Sequence, residues 1–179
     1  WWLLAQIYKK GLLYKGFTIQ PFSPAAGTGL SSHELNQPGT YKNVKDTTIV
    51  AQFEVKEIEK LNELGLLKNN SGKAYFLAWT TTPWTLPSNT ALAVGKNITY
   101  VAVNTFNQYT HQPITVILAK DLFGKYFSEK NAEIKLEDYK AGDKQIPFEV
   151  IGEVKGESLQ GIRYHQLMPY AQPTDGDAF

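Results

Sequence analysis

Residues 79–89 read WTTTPWTLPSN. Three consecutive hydroxyls, Thr80, Thr81 and Thr82, begin at the last residue of a strand-like run over Ala74–Thr80. Successive side chains of a strand point to opposite faces, so at most Thr80 and Thr82 share one. Pro83 then removes a backbone donor and steers Thr82 away from helical angles, and Pro87 does the same to Leu86. The spacing predicts that the chain leaves the sheet here along a stiff, extended path. Such a path frees backbone N–H and C=O groups, and the hydroxyls of Thr81, Thr82 and Thr85, to meet a ligand. Trp79 and Trp84 carry flat apolar faces suited to wall a pocket or stack on a base. Asn89 supplies both a donor and an acceptor. Taken singly, each residue has an ordinary structural explanation, threonine as a strand former and tryptophan as core. Their order is what composition does not supply.

Upstream, Ile49, Ala51, Phe53 and Val55 alternate, which predicts a strand over 47–56. Ile58, Leu61 and Leu64 stand three apart before Gly65, which predicts a short helix over 57–64. Downstream, Ala91–Val94, Thr99–Val103, Pro113–Ala119 and residues 146–155 read as strands, and Asp121–Phe127 as a short helix. Toward the start, Trp1, Leu4, Ala5, Tyr8 and Leu12 follow helical spacing, with Gly11 near the helix end. This opening reads as a helix cut from something larger. Residues 17–22 suggest a short strand ending at Pro21, and 23–43, rich in Gly, Ser, Pro and Asn, a connector. Many short strands between turn signals predict an α+β, β-rich fold, barrel-like or sandwich-like, with small peripheral helices.

The totals narrow the function. The chain has 179 residues, 42% of them hydrophobic and 20% charged, which indicates a globular domain with a real core. No apolar run approaches the roughly 20 residues of a membrane-spanning helix. The net charge of +1 gives no overall steering toward an acidic partner, so RNA would have to be held by a local patch. Cysteine is absent, which excludes thiolate chemistry and a disulfide framework. The three histidines, His33, His111 and His165, are far apart and lack zinc-ligand spacing. His33-Glu34 is half of a metal motif without the cysteine pair that would complete it. Gly27-Thr28-Gly29 lacks the third glycine and the lysine of a phosphate loop. No Ser–His–Asp set or Gly-x-Ser-x-Gly elbow is present. Lys9, Lys10 and Lys15 read as a solvated face, as do Glu57, Glu59, Lys60 and Glu63.

The string WTTTPWTLPSN resembles the threonine-rich peptide of the editing domain in isoleucyl-tRNA synthetases. TALAVG after it continues the likeness. So do WWLLAQIYKKGLLYKGF with PFSPAAGTGLSSHE near the start, and GESLQGIRYHQLMPY near the end. The sister valyl and leucyl enzymes carry Arg-Pro after the threonines, where this chain has Thr82-Pro83-Trp84, so the likeness points to the isoleucyl branch.

The resemblance implies a barrel-like editing domain of the valyl/leucyl/isoleucyl type over 44–179, incomplete on its C-terminal side. Residues 1–43 would be the end of the catalytic-domain segment and the connector into the insertion. Its implied work is hydrolysis of valine misattached to tRNA(Ile). One methylene separates valine from isoleucine and is worth only ~1–3 kcal/mol of discrimination; a second, smaller pocket that rejects isoleucine is the solution known for this family. Thr81 and Thr82 are the implied catalytic residues, facing the 3′-terminal adenosine and the ester. Trp79, Thr80, Trp84, Thr85 and Asn89 are the implied substrate-binding residues. An aminoacyl ester is already activated, so a positioned water suffices.

The implied partners are the tRNA(Ile) 3′ end carrying valine and the remaining domains of a cytoplasmic parent synthetase, with no membrane. No metal or cofactor is implied for this domain; the parent would use ATP and Mg2+. The ATP signatures His-x-Gly-His and Lys-Met-Ser-Lys-Ser are missing here, so the chain itself should not charge tRNA. The family's Gly-Thr-Gly-x-x-His segment and its loop with the ammonium-binding aspartate are expected beyond Phe179. An unpaired charge in the pocket is costly, so the chain alone is expected to edit weakly or not at all. The competing expectation is a free-standing β-rich module that binds nucleic acid or sugar through its aromatic residues.

Overall fold

The computed structural model describes residues 1–67, 72–174, 176 and 178–179. They form two compact units, Trp1–Lys45 and Asp46–Phe179.

In the first unit, helix α1 (Trp2–Lys9) ends where Gly11, at φ +69°, donates its N–H to the Tyr8 carbonyl. No residue of α1 is buried within the chain. The strand predicted over 17–22 forms only at its end. Strands β1 (Phe22–Ser23) and β2 (Thr28–Gly29) pair antiparallel as a two-residue ladder, while the residues before Pro21 have no ladder partner. The predicted connector also contains a short helix, α2 (Ser32–Leu35). Ser31 caps it by accepting from the Glu34 N–H, while Glu34 accepts from the Ser31 N–H at 2.7 Å. That reciprocal arrangement is a capping box, legible as Ser-x-x-Glu. The Ser31 backbone and hydroxyl bonds hold the Glu34 carboxyl below its usual pKa. Glu34 is thus a helix cap, and His33 contacts Gln37 at 3.0 Å.

The second unit is built on five strands: β3 (Ile49–Glu54), β4 (Lys73–Thr80), β5 (Thr99–Phe106), β6 (Pro113–Ala119) and β7 (Glu149–Lys155). Their spatial order is β3-β4-β6-β5-β7. All neighbours are antiparallel except β4 and β6, which run parallel with Phe76 opposite Ile117. The predicted barrel closure is not present among the described residues. The sheet is open, because β3 and β7 each pair on one side only; closing it would require one edge to reach the other. Helix α3 (Ile58–Glu63) follows β3 and is closed by Gly65 at φ +70°. Helix α4 (Phe123–Tyr126) follows a 3-10 turn over Lys120–Leu122.

Strand alternation divides the core between the two faces of the sheet. On one, Val55, Ala74, Ala102, Ile117 and Ile151 pack with Leu61 and Leu66. On the other, Val101, Val103, Ile114, Val116 and Leu118 pack with Phe123, Phe127 and Phe148. Two predicted strands change. Ala91–Val94 joins no ladder, and β7 begins at Glu149 because Pro147 has no N–H to give a sheet. The buried Pro147 carbonyl instead accepts from Thr105 Oγ1 at 2.8 Å. Thr105→Val keeps the shape and removes this donor, so it is expected to cost ~1–3 kcal/mol, read as a lowered urea midpoint.

Candidate functional site

Thr80 is the last residue of β4 and pairs with Ile49, the first of β3. Beyond it the extended path expected from the prolines is replaced by a 3-10 helix over Pro83–Ser88. The prolines permit this. Pro83 occupies the first helical turn, where a missing N–H costs nothing. Thr82, kept out of the helical region by the proline after it, is the N-cap at φ −124°, ψ 68°. Its carbonyl collects the Thr85 N–H at 3.0 Å and the Thr85 hydroxyl at 2.7 Å.

This turn draws three of the four threonines together. Thr80 Oγ1 lies 3.2 Å from Thr82 Oγ1, and Thr82 Oγ1 lies 3.4 Å from Thr85 Oγ1. Thr80 Oγ1 also accepts from the Thr82 N–H at 3.0 Å. A hydroxyl has one proton. Thr85 commits its proton to the Thr82 carbonyl, so Thr82 must be the donor toward Thr85, and Thr80 the donor toward Thr82. The chain therefore has one polarity, Thr80 to Thr82 to Thr85 to backbone. It leaves the Thr82 oxygen one lone pair for a ligand and no proton. Thr81 stands outside this chain and is exposed, and among the described residues its hydroxyl has no partner, which leaves it able to donate.

The other predicted residues divide. Trp84 is 66% exposed on the 3-10 helix, beside Thr85. Trp79 is also exposed, but strand alternation puts it on the face of β4 opposite Thr80, so these two do not share a wall. Asn89 follows the 3-10 helix and is half-buried, with both ends of its amide engaged. Its Nδ2 donates to the Ala91 carbonyl at 3.0 Å, and its Oδ1 accepts from Tyr164 Oη at 2.7 Å.

Tyr164 has no sequence signal comparable to that of the threonine string, since its partner lies 75 residues away. It is 4% exposed, packs edge-on against Phe53 with centroids 5.2 Å apart, and bridges to Val55. Burial pushes its hydroxyl pKa up, so it stays protonated as a donor. Phe53 and Tyr164 form one cluster with Ala51 and with Leu86 of the 3-10 helix. The threonine turn is thus pinned to the sheet by one buried leucine and one buried hydroxyl. Next to it is a mainly apolar hollow of about 210 Å3, lined by Phe76, Ala78, Leu92, Tyr100, Leu159 and Tyr164 among others. Phe76 and Ala78 share their face of β4 with Thr80, although among the described residues the threonines themselves do not line the hollow.

No group of His, Asp and Glu among the described residues could hold a metal ion, and no described helix is long and apolar enough to cross a membrane. No family model matches the chain. Individual relatives do. The isoleucine–tRNA ligase of Bacteroides fragilis is 65% identical over 176 residues, covering 98% of this chain and 15% of the relative. That of Bacteroides thetaiotaomicron is 63% identical over 175 residues, covering 98% and 14%. That of Cytophaga hutchinsonii is 63% identical over 173 residues, covering 97% and 15%. At this identity, sustained along nearly its whole length, the chain belongs to the isoleucine–tRNA ligase family and spans about 15% of the length of the curated relatives it matches.

Proposed function

We propose that residues 44–179 belong to the editing domain of an isoleucine–tRNA ligase and act on valine esterified to the 3′ end of tRNA(Ile). The observation that carries this reading is the one-way hydroxyl chain of Thr80, Thr82 and Thr85 with the free hydroxyl of Thr81 beside it. In the hydrolysis, a water oxygen attacks the ester carbon and the bond to the ribose oxygen breaks. The ribose oxygen takes up a proton, and valine and uncharged tRNA leave. The free lone pair of Thr82 accepts one proton of that water in a hydrogen bond and aims its oxygen. Thr81 donates to the ester. Neither group is a base; each orients a reactant that is already activated. Trp84 is available to stack on the terminal adenine, and Asn89 closes the far end of the turn.

The same reading makes residues 1–43 the end of the catalytic-domain segment and the connector. The uncovered apolar side chains of α1, among them Trp2, Leu3 and Leu4, suit packing on the rest of such a ligase. Charging with ATP and Mg2+ would belong to that remainder, in the cytoplasm. The identity to isoleucine–tRNA ligases along 98% of the chain favours this over a free-standing binding module, for which no specific observation speaks.

The test uses the ligase that carries this segment. Thr81→Ala and Thr82→Ala are each expected to slow deacylation of valyl-tRNA(Ile) about tenfold, the cost of one lost hydrogen bond to the reacting groups, with isoleucylation unchanged. If the double variant clears mischarged tRNA at the normal rate, the proposed roles are wrong.

A further inference from the structure

The hydroxyl of Tyr164 is buried, and it spends its proton on an amide two residues before Ala91 rather than on water or on a neighbour in sequence. An asparagine amide is nearly symmetric in shape, so packing alone does not decide which end is oxygen and which is nitrogen. The decision needs a partner that can only donate or only accept. The Ala91 carbonyl can only accept, and the protonated Tyr164 hydroxyl, placed 2.7 Å from Oδ1, donates. Together they fix the amide in one orientation. That leaves one further Nδ2–H and one further Oδ1 lone pair with defined directions. The same residue ends the 3-10 helix, its N–H donating to the Leu86 carbonyl at 3.1 Å. Tyr164 itself is immobilised by Phe53 and by its bridge to Val55. The sheet thereby holds the end of the threonine turn by this hydroxyl in addition to Leu86.

We infer that Tyr164 is a positioning residue for the threonine turn, acting through Asn89 by anchoring the oxygen of its side chain. This rests on the editing reading above and adds to it a residue remote in sequence. Removing only the hydroxyl, as in Tyr164→Phe, keeps the ring against Phe53 but leaves the Asn89 amide held by the Ala91 carbonyl alone.

The experiment is a double-mutant comparison in the intact ligase, following deacylation of valyl-tRNA(Ile), isoleucylation and thermal stability. Tyr164→Phe is expected to slow deacylation about fivefold, the worth of one hydrogen bond, in kcat rather than in KM and without change in isoleucylation. In an Asn89→Ala background the same change should have almost no further effect, because the amide it acts on is gone. In an Asn89→Asp background, which retains an oxygen facing the hydroxyl, Tyr164→Phe should again slow the reaction. A purely structural tyrosine would lower the melting temperature and give equal effects in all three backgrounds, which would overturn the inference. So would normal deacylation in Tyr164→Phe while Thr82→Ala is impaired, and there the editing reading would survive. Normal deacylation in both Thr82→Ala and Asn89→Ala would sink the editing reading and this inference with it.

Discussion

Phe53→Ala is expected to lower the stability of the chain by ~3–5 kcal/mol, the range for removing a fully buried aromatic ring. Phe53 is 1% exposed near the end of β3, opposite Phe76 on β4. Its ring supports Tyr164 edge-on and shares a cluster with Leu86. The cavity left behind would lie among Tyr164, Leu86 and Phe76 of the same cluster. Urea unfolding followed by tryptophan fluorescence reads the change as a lower midpoint at similar slope. The variant also undoes the support of Asn89, so hydrogen exchange at the Leu86 and Asn89 amides should accelerate more than in β5 and β6. A loss below about 1 kcal/mol would mean that Phe53 is not the keystone of this corner.

Gly152→Ala is the second large effect, and it comes from crowding. A Cβ on Gly152 would stand 2.5 Å from the Gly65 carbonyl oxygen and 3.4 Å from a Leu66 methyl. The nearer atom is backbone in the turn that closes α3, so no flexible side chain can swing away. Gly65 is itself at φ +70°, a conformation that other residues adopt at a cost, which leaves the turn little freedom to move. Either β7 or the end of α3 must shift, and Leu66, 0% exposed, shifts with it. The expected cost is ~3 kcal/mol, at the top of the range for an overpacked core. It would be measured by the same urea titration. An unchanged midpoint would show that the close approach of β7 to α3 is not maintained in solution.

Much of the sheet was legible because its strands announce themselves locally. Pro113–Ala119 matches β6 residue for residue, and the alternation around Phe53 found β3. The helix over 57–64 was marked by its apolar spacing and by Gly65. What was not legible depended on partners. Ala91–Val94 has strand composition but finds no ladder, and residues 17–21 are in the same position. Barrel closure was inferred from the number of strands, and strand number does not say whether two edges meet. The threonine string was correctly seen as an exit from the sheet. Its path was misjudged because two prolines were read as extenders, whereas the first opens a 3-10 turn that the Thr82 carbonyl organises. Of the proposed site, the threonines and Asn89 stand in the string that carries the resemblance. Tyr164 could not be joined to them from the sequence, since its hydrogen bond to Asn89 spans 75 positions and tertiary packing creates it.

An open sheet presents two rows of backbone groups that a strand from another copy could join. The two edges meet this hazard differently. On β7, Glu149, Glu153 and Lys155 are all exposed, and Lys120 reaches Glu153 at 2.7 Å; an incoming strand would have to strip water from these charges. β3 carries less charge, but it is only six residues long, and Val55 at its end already bridges to Tyr164. The backbone of residues 163–165 therefore covers part of the edge where self-association would begin, through Lys56 N–H to Arg163 and His165 N–H to Glu54, while the side chain of Tyr164 between them holds Asn89, so one short segment both blunts the edge and ties down the threonine turn.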